Sequence, residues 1–434
     1  MSSLFLNFRK TAKRLKSHTV VRNAFLMYVV QFSGYIFPLI ALPYLAHKLS
    51  TEMFGWVAFA QTFNWYFITL TDYGFNLTAT RAIAIAQDDR TAISRTYSAV
   101  LTAKVLLTIL GLVIMLAVVV AAPRLRPYLA LFTVSFLSVI GNLLFPMWLF
   151  QGMQKMEHVA IRDFLAKIIS LVTLFLFVHG DQDYLIAAGT QSGGQLLAGI
   201  VGLLTVRPKL GVRFQIPLWS EVREQFIAGW PAFLSLSVSG YAVVTNTVII
   251  GLRAPVSEIA YYNAAQRLIA AMRSMVSPLS TAIYPHASQK AVRSEADVVE
   301  FVRKYALIFL APFLVVGILL IVASPWALPR FLGEKFHDSV PVLQIMALTP
   351  ALLVLIQVYS TYYMLACGYD KEWMRIMLTT VVVNFAVLLP LMFVIRGSLT
   401  LAITGLVSET SAAFLYWRFY RGRAMRLREA TALT

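Results

Sequence analysis

The chain has 434 residues, of which 59% are hydrophobic and 13% charged, and its formal net charge at pH 7 is +17. A soluble protein of this length would carry about a quarter charged residues. Apolar runs recur along the whole sequence, each of about twenty residues, which is enough to cross a hydrocarbon core of roughly 30 Å. The composition therefore excludes an ordinary soluble domain and predicts a polytopic membrane protein.

Catalytic and metal-binding classes find no support in the sequence. The single cysteine, Cys367, excludes an internal disulfide and a multi-cysteine metal site. The six histidines are scattered without ligand spacing, and the polar connections are too short for a soluble catalytic domain. We therefore expect a protein that is not an enzyme, requires no cofactor or metal, and acts within the membrane.

Hydrophobic runs between polar breaks predict twelve helical spans. In chain order they cover residues 24–47, 54–78, 98–121, 128–150, 161–178, 184–206, 225–250, 258–282, 303–322, 340–366, 374–394 and 399–419. The first is long and lacks a cleavage site, so it is predicted to be retained. The basic segment before it, residues 1–22, suits equally a short helix on the inner leaflet and a disordered tail.

A basic, proline-containing stretch divides the twelve spans into six and six. The predicted domains are an N-terminal six-helix bundle over residues 1–206, a cytoplasmic linker over 207–224, and a C-terminal bundle over 225–434 that ends in a basic tail. An even number of spans in each half predicts parallel repeats, related by an axis along the membrane normal. The weakly similar stretches FGWVAFAQ and IAYYNAAQ fall in the second and eighth spans and support this prediction.

Basic residues are distributed unevenly between the two sides that these spans define. The termini and the loops on their side hold 26 of the 37 Lys and Arg residues, whereas the opposite loops hold seven. The positive-inside rule then places both termini in the cytoplasm of a bacterial inner membrane. The net charge of +17 is therefore attributed to topology and anionic lipid, and nucleic acid is not expected as a partner.

The eighth span contains two arginines where an apolar helix would be expected. Arg267 and Arg273 each lie roughly 13 Å from one end of the span. A charge at the centre of a span costs roughly 2.5–3.5 kcal/mol when it faces lipid, so both are expected to face protein or water. Asn263, Gln266 and Arg273 follow one stripe that continues to Ser277, with Arg267 on its shoulder.

The second span repeats this pattern with polar residues on one face. Two such stripes favour a wet central cavity between the bundles, and the excess of bases over acids in the spans makes it net positive. That sign suits an anion, and the planar fork of arginine suits phosphate. The predicted substrate-binding residues are Arg267, Arg273, Asn263, Gln266, Gln61, Asn64, Asp72, Arg81 and Lys104.

Four of these residues, all of them basic, also have a simpler interpretation. The two arginines of the eighth span could pair with Asp72 or Glu409 as packing contacts only. Lys104 could extend to the nearby membrane surface, and Arg81 could be a topological anchor. Asp72 and Glu409 are in addition candidates for a coupling-ion site, and Glu409 could instead be hydrogen-bonded between helices.

Four loose patterns occur in order along the chain. They are the first span led by Asn23, the stretch LSTEMFGWVAFAQTF running into TDYGFNLTATR, AGWPAFLSLSVSGY in the seventh span, and SEIAYYNAAQRL in the eighth. Their order and spacing across twelve spans resemble the polysaccharide-transporter branch of the MOP superfamily, the Wzx-type O-antigen and exopolysaccharide flippases. The resemblance covers essentially the whole chain.

The resemblance implies a MATE-like, or MOP, fold: an all-α membrane protein whose two parallel six-helix bundles surround a central cavity. It implies a flippase that carries an undecaprenyl-diphosphate-linked oligosaccharide repeat unit from the cytoplasmic to the outer leaflet by alternating access. This role serves O-antigen or other exopolysaccharide biosynthesis, where a polysaccharide polymerase and a chain-length regulator would be partners. In that case Arg267 and Arg273 would meet the diphosphate.

Two other functions fit the sequence less well than the flippase. A MATE-like cation- or drug-coupled antiporter would favour acidic cavity residues, whereas bases dominate here. A membrane-embedded glycan polymerase or ligase would need a large polar loop with catalytic groups, and the sequence has no such loop. The flippase is therefore the favoured function, and the antiporter is the alternative.

Reporter fusions after residues 182 and 334 test the predicted topology. Both positions lie in loops opposite the termini, so an alkaline phosphatase fused at either should be active in the periplasm. The same reporter fused after residue 215, in the linker, should be inactive because the linker is predicted to be cytoplasmic. A cytoplasmic signal at residue 182 or 334 would contradict the topology.

Overall fold

The computed structural model describes residues 34, 36–86 and 89–432. This part of the chain is helical and contains no strand, which confirms the predicted all-α class. The basic segment of residues 1–22, with both of its predicted forms, lies outside the described residues.

Helical segments occupy the described part of every predicted span. They are α1 (36–48), α2 (Thr51–Asp72), α3 (Phe75–Ile85), α4 (Arg90–Ala121), α5 (Leu129–Leu144), α6 (Met147–Gly152), α7 (Met156–Phe177), α8 (Tyr184–Thr205), α9 (Trp219–Arg253), α10 (Val256–Ser274), α11 (Val276–Arg293), α12 (Glu295–Leu332), α13 (Ser339–Met346), α14 (Thr349–Ile356), α15 (Asp370–Leu391) and α16 (Gly397–Ala432). A π-helical segment, Gln357–Leu365, continues α14. The basic C-terminal tail is therefore the end of a long helix.

Several spans that were predicted as single helices are divided. The second breaks at Tyr73 and Gly74, whose φ angles are 42° and 80°, so the backbone there turns into the left-handed region. The fourth breaks before Pro146. The eighth breaks after Ser274, and Pro278, four residues further on, has no N–H to donate to the carbonyl of Ser274.

Six described segments are long and apolar enough to cross a membrane, judged by length and composition. They are Arg90–Ala121, Arg126–Gly152, Glu295–Leu332, Ser339–Leu365, Asp370–Leu391 and Gly397–Leu427. The chain is therefore a multi-pass membrane protein. The full count of twelve crossings stays a prediction.

The described chain forms two compact units. Unit 1 contains residues 64–178 and 185–236 with the few described residues before 38, and unit 2 contains residues 38–63, 179–184 and 237–432. The boundary falls inside α2, so Gln61 belongs to unit 2 and Asn64 to unit 1. Whether residues 1–206 and 225–434 are repeats of each other is a separate question, and it stays a prediction.

The core of unit 1 forms where α3, α4 and α6 meet. Phe75, Trp148 and Phe150 are fully buried in it. Gly74, just before α3, approaches α9 so closely that a Cβ atom would come within 2.7 Å of the Cβ of Ala232. Its positive φ and this close approach both require glycine.

Helices α5 and α8 of unit 1 pack backbone against backbone. A Cβ added at Gly199 would meet the carbonyl oxygen of Gly141, and a Cβ at Gly141 would lie 2.5 Å from the carbonyl carbon of Gln195. Small residues at such contacts let membrane helices approach closely, where packing supplies most of the attraction.

In unit 2, the N-terminal end of α10 is held by the buried carboxylate of Glu258. This carboxylate accepts hydrogen bonds from the backbone N–H of Ser398 and from Nε of Arg396, both at 3.0 Å. Arg396 also donates to Asp338 at 2.6 Å and thereby lowers the pKa of Asp338. The contribution of this pair to the stability of the fold is complete at neutral pH and is lost as the pH falls through the lowered pKa of Asp338. The network fixes the start of the helix that carries both predicted arginines.

Replacing Gly199 with leucine tests the α5–α8 contact. The new side chain would collide with backbone that has no room to move, and overpacking of this kind costs about 1–3 kcal/mol or more. We expect Gly199→Leu to lower the yield of monodisperse protein in detergent and its thermal midpoint.

Gly193 is the matched control because it lies in the same helix with no heavy atom within 4 Å of the position of a Cβ. Gly193→Leu should retain the yield and midpoint of the wild type. Equal losses in both variants would contradict the proposed backbone contact.

Candidate functional site

Arg267 lies in the middle of α10 and is held by neutral amides. Its Nε donates to Oδ1 of Asn263 at 2.9 Å, and its Nη2 donates to Oε1 of Gln61 at 3.1 Å. The guanidinium carbon lies 5.9 Å from the ring centre of Phe54. Within the described part of the chain, no carboxylate lies at ion-pair distance from Arg267. Its positive charge is therefore solvated by amide dipoles and not neutralised.

Arg273 lies six residues further along α10 and has a different environment. Its Nη1 lies 2.5 Å from Oε1 of Glu409 on α16, and the two side chains are 30% and 20% exposed. The second oxygen of this carboxylate, Oε2, is buried without a hydrogen-bond partner among the described residues. Arg273 is therefore neutralised, whereas Glu409 keeps one unused acceptor.

Helix α10 ends at Ser274, so Arg273 stands in its last turn. The helix macrodipole favours a cation at this end. The predicted stripe of Asn263, Gln266 and Arg273 lies on α10, but the side chain of Ser277, in α11 beyond the break, lies outside the described residues. Oε1 of Gln266 is also buried and has no partner in the part of unit 2 that is described.

A second charged group lies in unit 1 at the end of α2. Oδ1 of Asp72 accepts hydrogen bonds from Nζ of Lys104 at 3.0 Å and from Nδ2 of Asn142 at 2.8 Å. Lys104 also donates to the backbone oxygen of Asn142 at 3.2 Å, and only 1% of it is exposed. Lys104 therefore does not extend to the membrane surface, and this interpretation of the sequence was wrong.

Asn142 is the member of this group that sequence reasoning missed. It is a polar residue within the apolar run VIGNLLFP, and that contrast could have identified it. Its side-chain amide donates to Asp72 and its backbone oxygen accepts from Lys104, so Asn142 lies beside the ion pair and contacts both partners.

The other predicted residues fall outside these groups. Asn64 is 1% exposed, and both polar atoms of its side chain are without hydrogen-bond partners among the described residues. Arg81 is exposed on α3. The structure thus brings together Gln61, Asn263 and Arg267 in unit 2, pairs Arg273 with Glu409 in the same unit, and joins Asp72 to Lys104 in unit 1.

The interpretation that the two arginines are paired with acids holds for only one of them. Arg273 has Glu409 as its acidic partner, as that interpretation required. Asp72 is paired with Lys104, so it does not serve as the partner of Arg267. Arg267 is therefore the arginine whose burial is not explained by an ion pair.

The solved structures that are similar to this chain include a transporter and a flippase. An inward-facing multidrug-resistance transporter of the MATE family, in the MOP superfamily, matches with a TM-score of 0.70 over 91% of this chain and 95% of its own, at 14% identity. The lipid II flippase MurJ in its inward closed conformation matches with a TM-score of 0.69 over 91% of this chain and 86% of its own, at 12% identity. The chain has the MOP fold, as predicted, and identities this low show the fold alone.

Comparison of sequences identifies the family to which the chain belongs. A family model described as polysaccharide biosynthesis protein matches residues 20–291, and the chain belongs to this family. A protein named "Putative O-antigen transporter" in Escherichia coli strain K12 is 28% identical over 93% of this chain and 97% of its own length. A protein of the same name in Shigella dysenteriae is 27% identical over 86% of this chain and 93% of its own. The resemblance predicted from the motifs is confirmed.

Replacing Lys104 tests whether the charged group of unit 1 is a buried ion pair. Removing one partner leaves the other charge uncompensated in a low-dielectric setting, which typically costs about 3–5 kcal/mol. We expect Lys104→Met to lower the amount and thermal midpoint of folded protein in detergent. The double variant Lys104→Met with Asp72→Asn should recover most of the loss, because neither charge remains.

Lys209→Met is the control, because Lys209 is exposed in the linker. This variant should fold in the normal amount. A Lys104→Met protein as stable as the wild type, or a double variant less stable than the single one, would contradict the buried pair.

Proposed function

We propose that this protein is a flippase for an undecaprenyl-diphosphate-linked oligosaccharide. It moves the repeat unit from the cytoplasmic to the outer leaflet of the bacterial inner membrane by alternating access, for O-antigen or another exopolysaccharide. Membership of the polysaccharide biosynthesis family and full-length similarity to proteins named for O-antigen transport support this substrate class. The MurJ fold match is consistent with a lipid-linked substrate.

The observation that carries the proposal at the level of residues is the environment of Arg267. A guanidinium has five N–H donors. Two of them bond to Asn263 and Gln61, whereas Nη1 makes no hydrogen bond to any described residue. The side chain is thus held in place by neutral groups and keeps donors for an anion. Arginine binds two phosphate oxygens at once, so a diphosphate is a matched ligand.

Arg273 would join the binding of the diphosphate by exchanging its partner. In the described state Glu409 neutralises it. Arg267 and Arg273 are separated by about 9 Å along α10, so an extended anion, such as a diphosphate with its first sugar, is of a size to engage both. Asn263, Gln266 and Gln61 would then supply amide hydrogen bonds to the sugars, and Asn64 stays a predicted substrate contact.

The exchange makes Glu409 the stronger of the two coupling-ion candidates. When a diphosphate takes Arg273, the released carboxylate needs a proton or a cation as its new partner. Its Oε2 atom is already without a protein partner. Asp72, the other candidate, is paired with Lys104 and hydrogen-bonded to Asn142, and no step of the proposed exchange displaces that lysine. Arg81 and Lys104 stay predicted substrate contacts, and the geometry favours them less than Arg267.

The antiporter alternative is not favoured. The relatives that match along nearly the whole chain are named for O-antigen transport, whereas the MATE structures are similar only in fold. Inner-membrane location, cytoplasmic termini and an association with a polysaccharide polymerase and chain-length regulator belong to the proposal. We also propose that residues 1–206 and 225–434 are parallel repeats of each other.

Substitutions of the two arginines in a strain that depends on this protein for surface glycan test the proposal. Arg267→Ala should abolish surface glycan with normal membrane insertion, because its charge has no acidic partner that depends on it. Arg273→Ala should also abolish export, and Arg273→Lys should recover part of it, since it restores the charge but not the fork. Glycan on gels and protein in membranes are measured together.

Arg253→Ala is the matched control, because this arginine ends α9 and its guanidinium stacks 3.9 Å from the ring centre of Phe393. Arg253→Ala should reduce surface glycan less than Arg267→Ala or Arg273→Ala does, and it should leave the amount of protein in membranes close to normal. A purely structural Arg273 would instead lower the amount of folded protein, and adding Glu409→Ala would restore both protein and glycan. Normal export by correctly inserted Arg267→Ala and Arg273→Ala proteins would refute the binding role.

A further inference from the structure

Unit 1 contains a groove away from the charged group at Asp72. Its volume is about 790 Å³, within the range of about 300–1,000 Å³ that is usual for small-ligand sites. One wall is the first half of α4, and the other is formed by the end of α8 and the linker that follows. Its apolar floor includes Leu101, Val105 and Leu203, and its rim includes Arg207, Arg213 and Phe214.

The linker wall of this groove is fastened to α4. The backbone N–H groups of Arg213 and Gln215 donate to the hydroxyl oxygens of Ser94 and Ser98, at 3.3 and 2.9 Å. Nη1 of Arg90 donates to the carbonyl oxygen of residue 210 at 3.0 Å. These bonds hold the segment in register along the helix, so the groove is a built feature of the fold.

The charge of the groove has one sign. Two of its ten lining residues are arginines and none is acidic. Both arginines are exposed. The nearest acidic residue of the linker, Glu221, lies 3.3 Å from Nε of Arg95 and is thus already paired.

The predicted crossing of the membrane by α8, the sixth predicted span, would place the groove at the depth of lipid headgroups. Helix α8 has 22 residues, which is about 33 Å and matches the hydrocarbon thickness, so Arg207 just beyond its end reaches the interface. Leu101 lies about 30 Å along the axis of α4 from the other end of that helix at Ala121. On this prediction the apolar floor would lie at the edge of the hydrocarbon and the two arginines at the level of the lipid phosphates.

We propose that this groove binds the headgroup and upper acyl chains of an anionic phospholipid. The phosphate lies against Arg207 and Arg213, and the acyl chains follow Leu101, Val105 and Leu203 into the hydrocarbon. Basic pockets between membrane helices bind anionic headgroups in this way. By the positive-inside prediction the lipid belongs to the inner leaflet, and it would brace the linker against α4.

The full-length protein, purified and delipidated in a neutral detergent, is titrated with dioleoyl phosphatidylglycerol and followed by native mass spectrometry. Phosphatidylcholine with the same acyl chains reports binding that does not depend on net charge. Each interfacial arginine contributes about fivefold to anionic lipid binding. Arg207→Gln and Arg213→Gln should thus each weaken phosphatidylglycerol binding about fivefold, and the double variant about 25-fold.

Two further variants separate this groove from diffuse attraction. Leu203→Trp fills the floor while leaving the charges, and it should weaken phosphatidylglycerol binding as well. Arg223→Gln removes an exposed arginine that does not line the groove, and it should bind like the wild type.

Three results would overturn the proposal. The first is wild-type phosphatidylglycerol binding by the double variant. The second is an equal loss by Arg223→Gln, which would indicate a general charge effect. The third comes from undecaprenyl diphosphate used as a second titrant: if only its binding is lost in the double variant, the groove is an entry site for the transported lipid. Surface glycan export by the double variant is measured separately, so the fate of the flippase proposal does not decide this one.

Discussion

The cost of placing a charge among apolar helices is the constraint on which this structure depends. A charged side chain that faces lipid at mid-span costs roughly 2.5–3.5 kcal/mol. The chain meets this cost in two ways. Lys104 is compensated by Asp72 and Asn142 and is almost completely buried. Arg267 is compensated only by amide oxygens, so its net charge stays available.

The ends of helices place these charges. Asp72 is the last residue of α2 and Arg273 is the last but one of α10, and a backbone break follows each. The macrodipole at a helix C-terminus stabilises a cation and destabilises an anion. Arg273 is therefore favoured where it stands, whereas Asp72 is not. The lysine and asparagine that converge on Asp72 offset this disadvantage as well as its burial.

Much of the fold could be predicted from the sequence, because a long apolar run is a local signal. Helices occur at the described part of all twelve predicted spans. The breaks within these helices were harder to predict. Gly74 was a visible signal, but its close approach to Ala232 depends on α9, which lies far along the chain. Periodicity placed Asn263 and Arg267 on adjoining positions of one helix, and their hydrogen bond follows from that spacing.

Partners on distant helices could not be predicted in this way. Sequence periodicity indicates which face is polar, but it does not say which acid meets which base. Both Asp72 and Glu409 were possible partners for the two arginines, and only the packing of α4 and α5 against α2 decides that Lys104 and Asn142 take Asp72. The same limitation explains why the sequence left Lys104 with two interpretations, a substrate contact and an extension to the membrane surface, and did not indicate its pairing with Asp72.

The different compensation of the two arginines has a consequence for the proposed transport cycle. An anion that binds Arg267 breaks no ion pair, so its full attraction contributes to affinity. An anion that binds Arg273 must displace Glu409, and a buried carboxylate left alone is costly unless it takes up a proton or a cation. Binding at Arg273 is thus linked to a second species, whereas binding at Arg267 is not. The same helix would thus hold the anion at Arg267 without coupling and at Arg273 with coupling. Release of the proton or cation from Glu409 would restore the Arg273–Glu409 pair and reverse only the contact at Arg273.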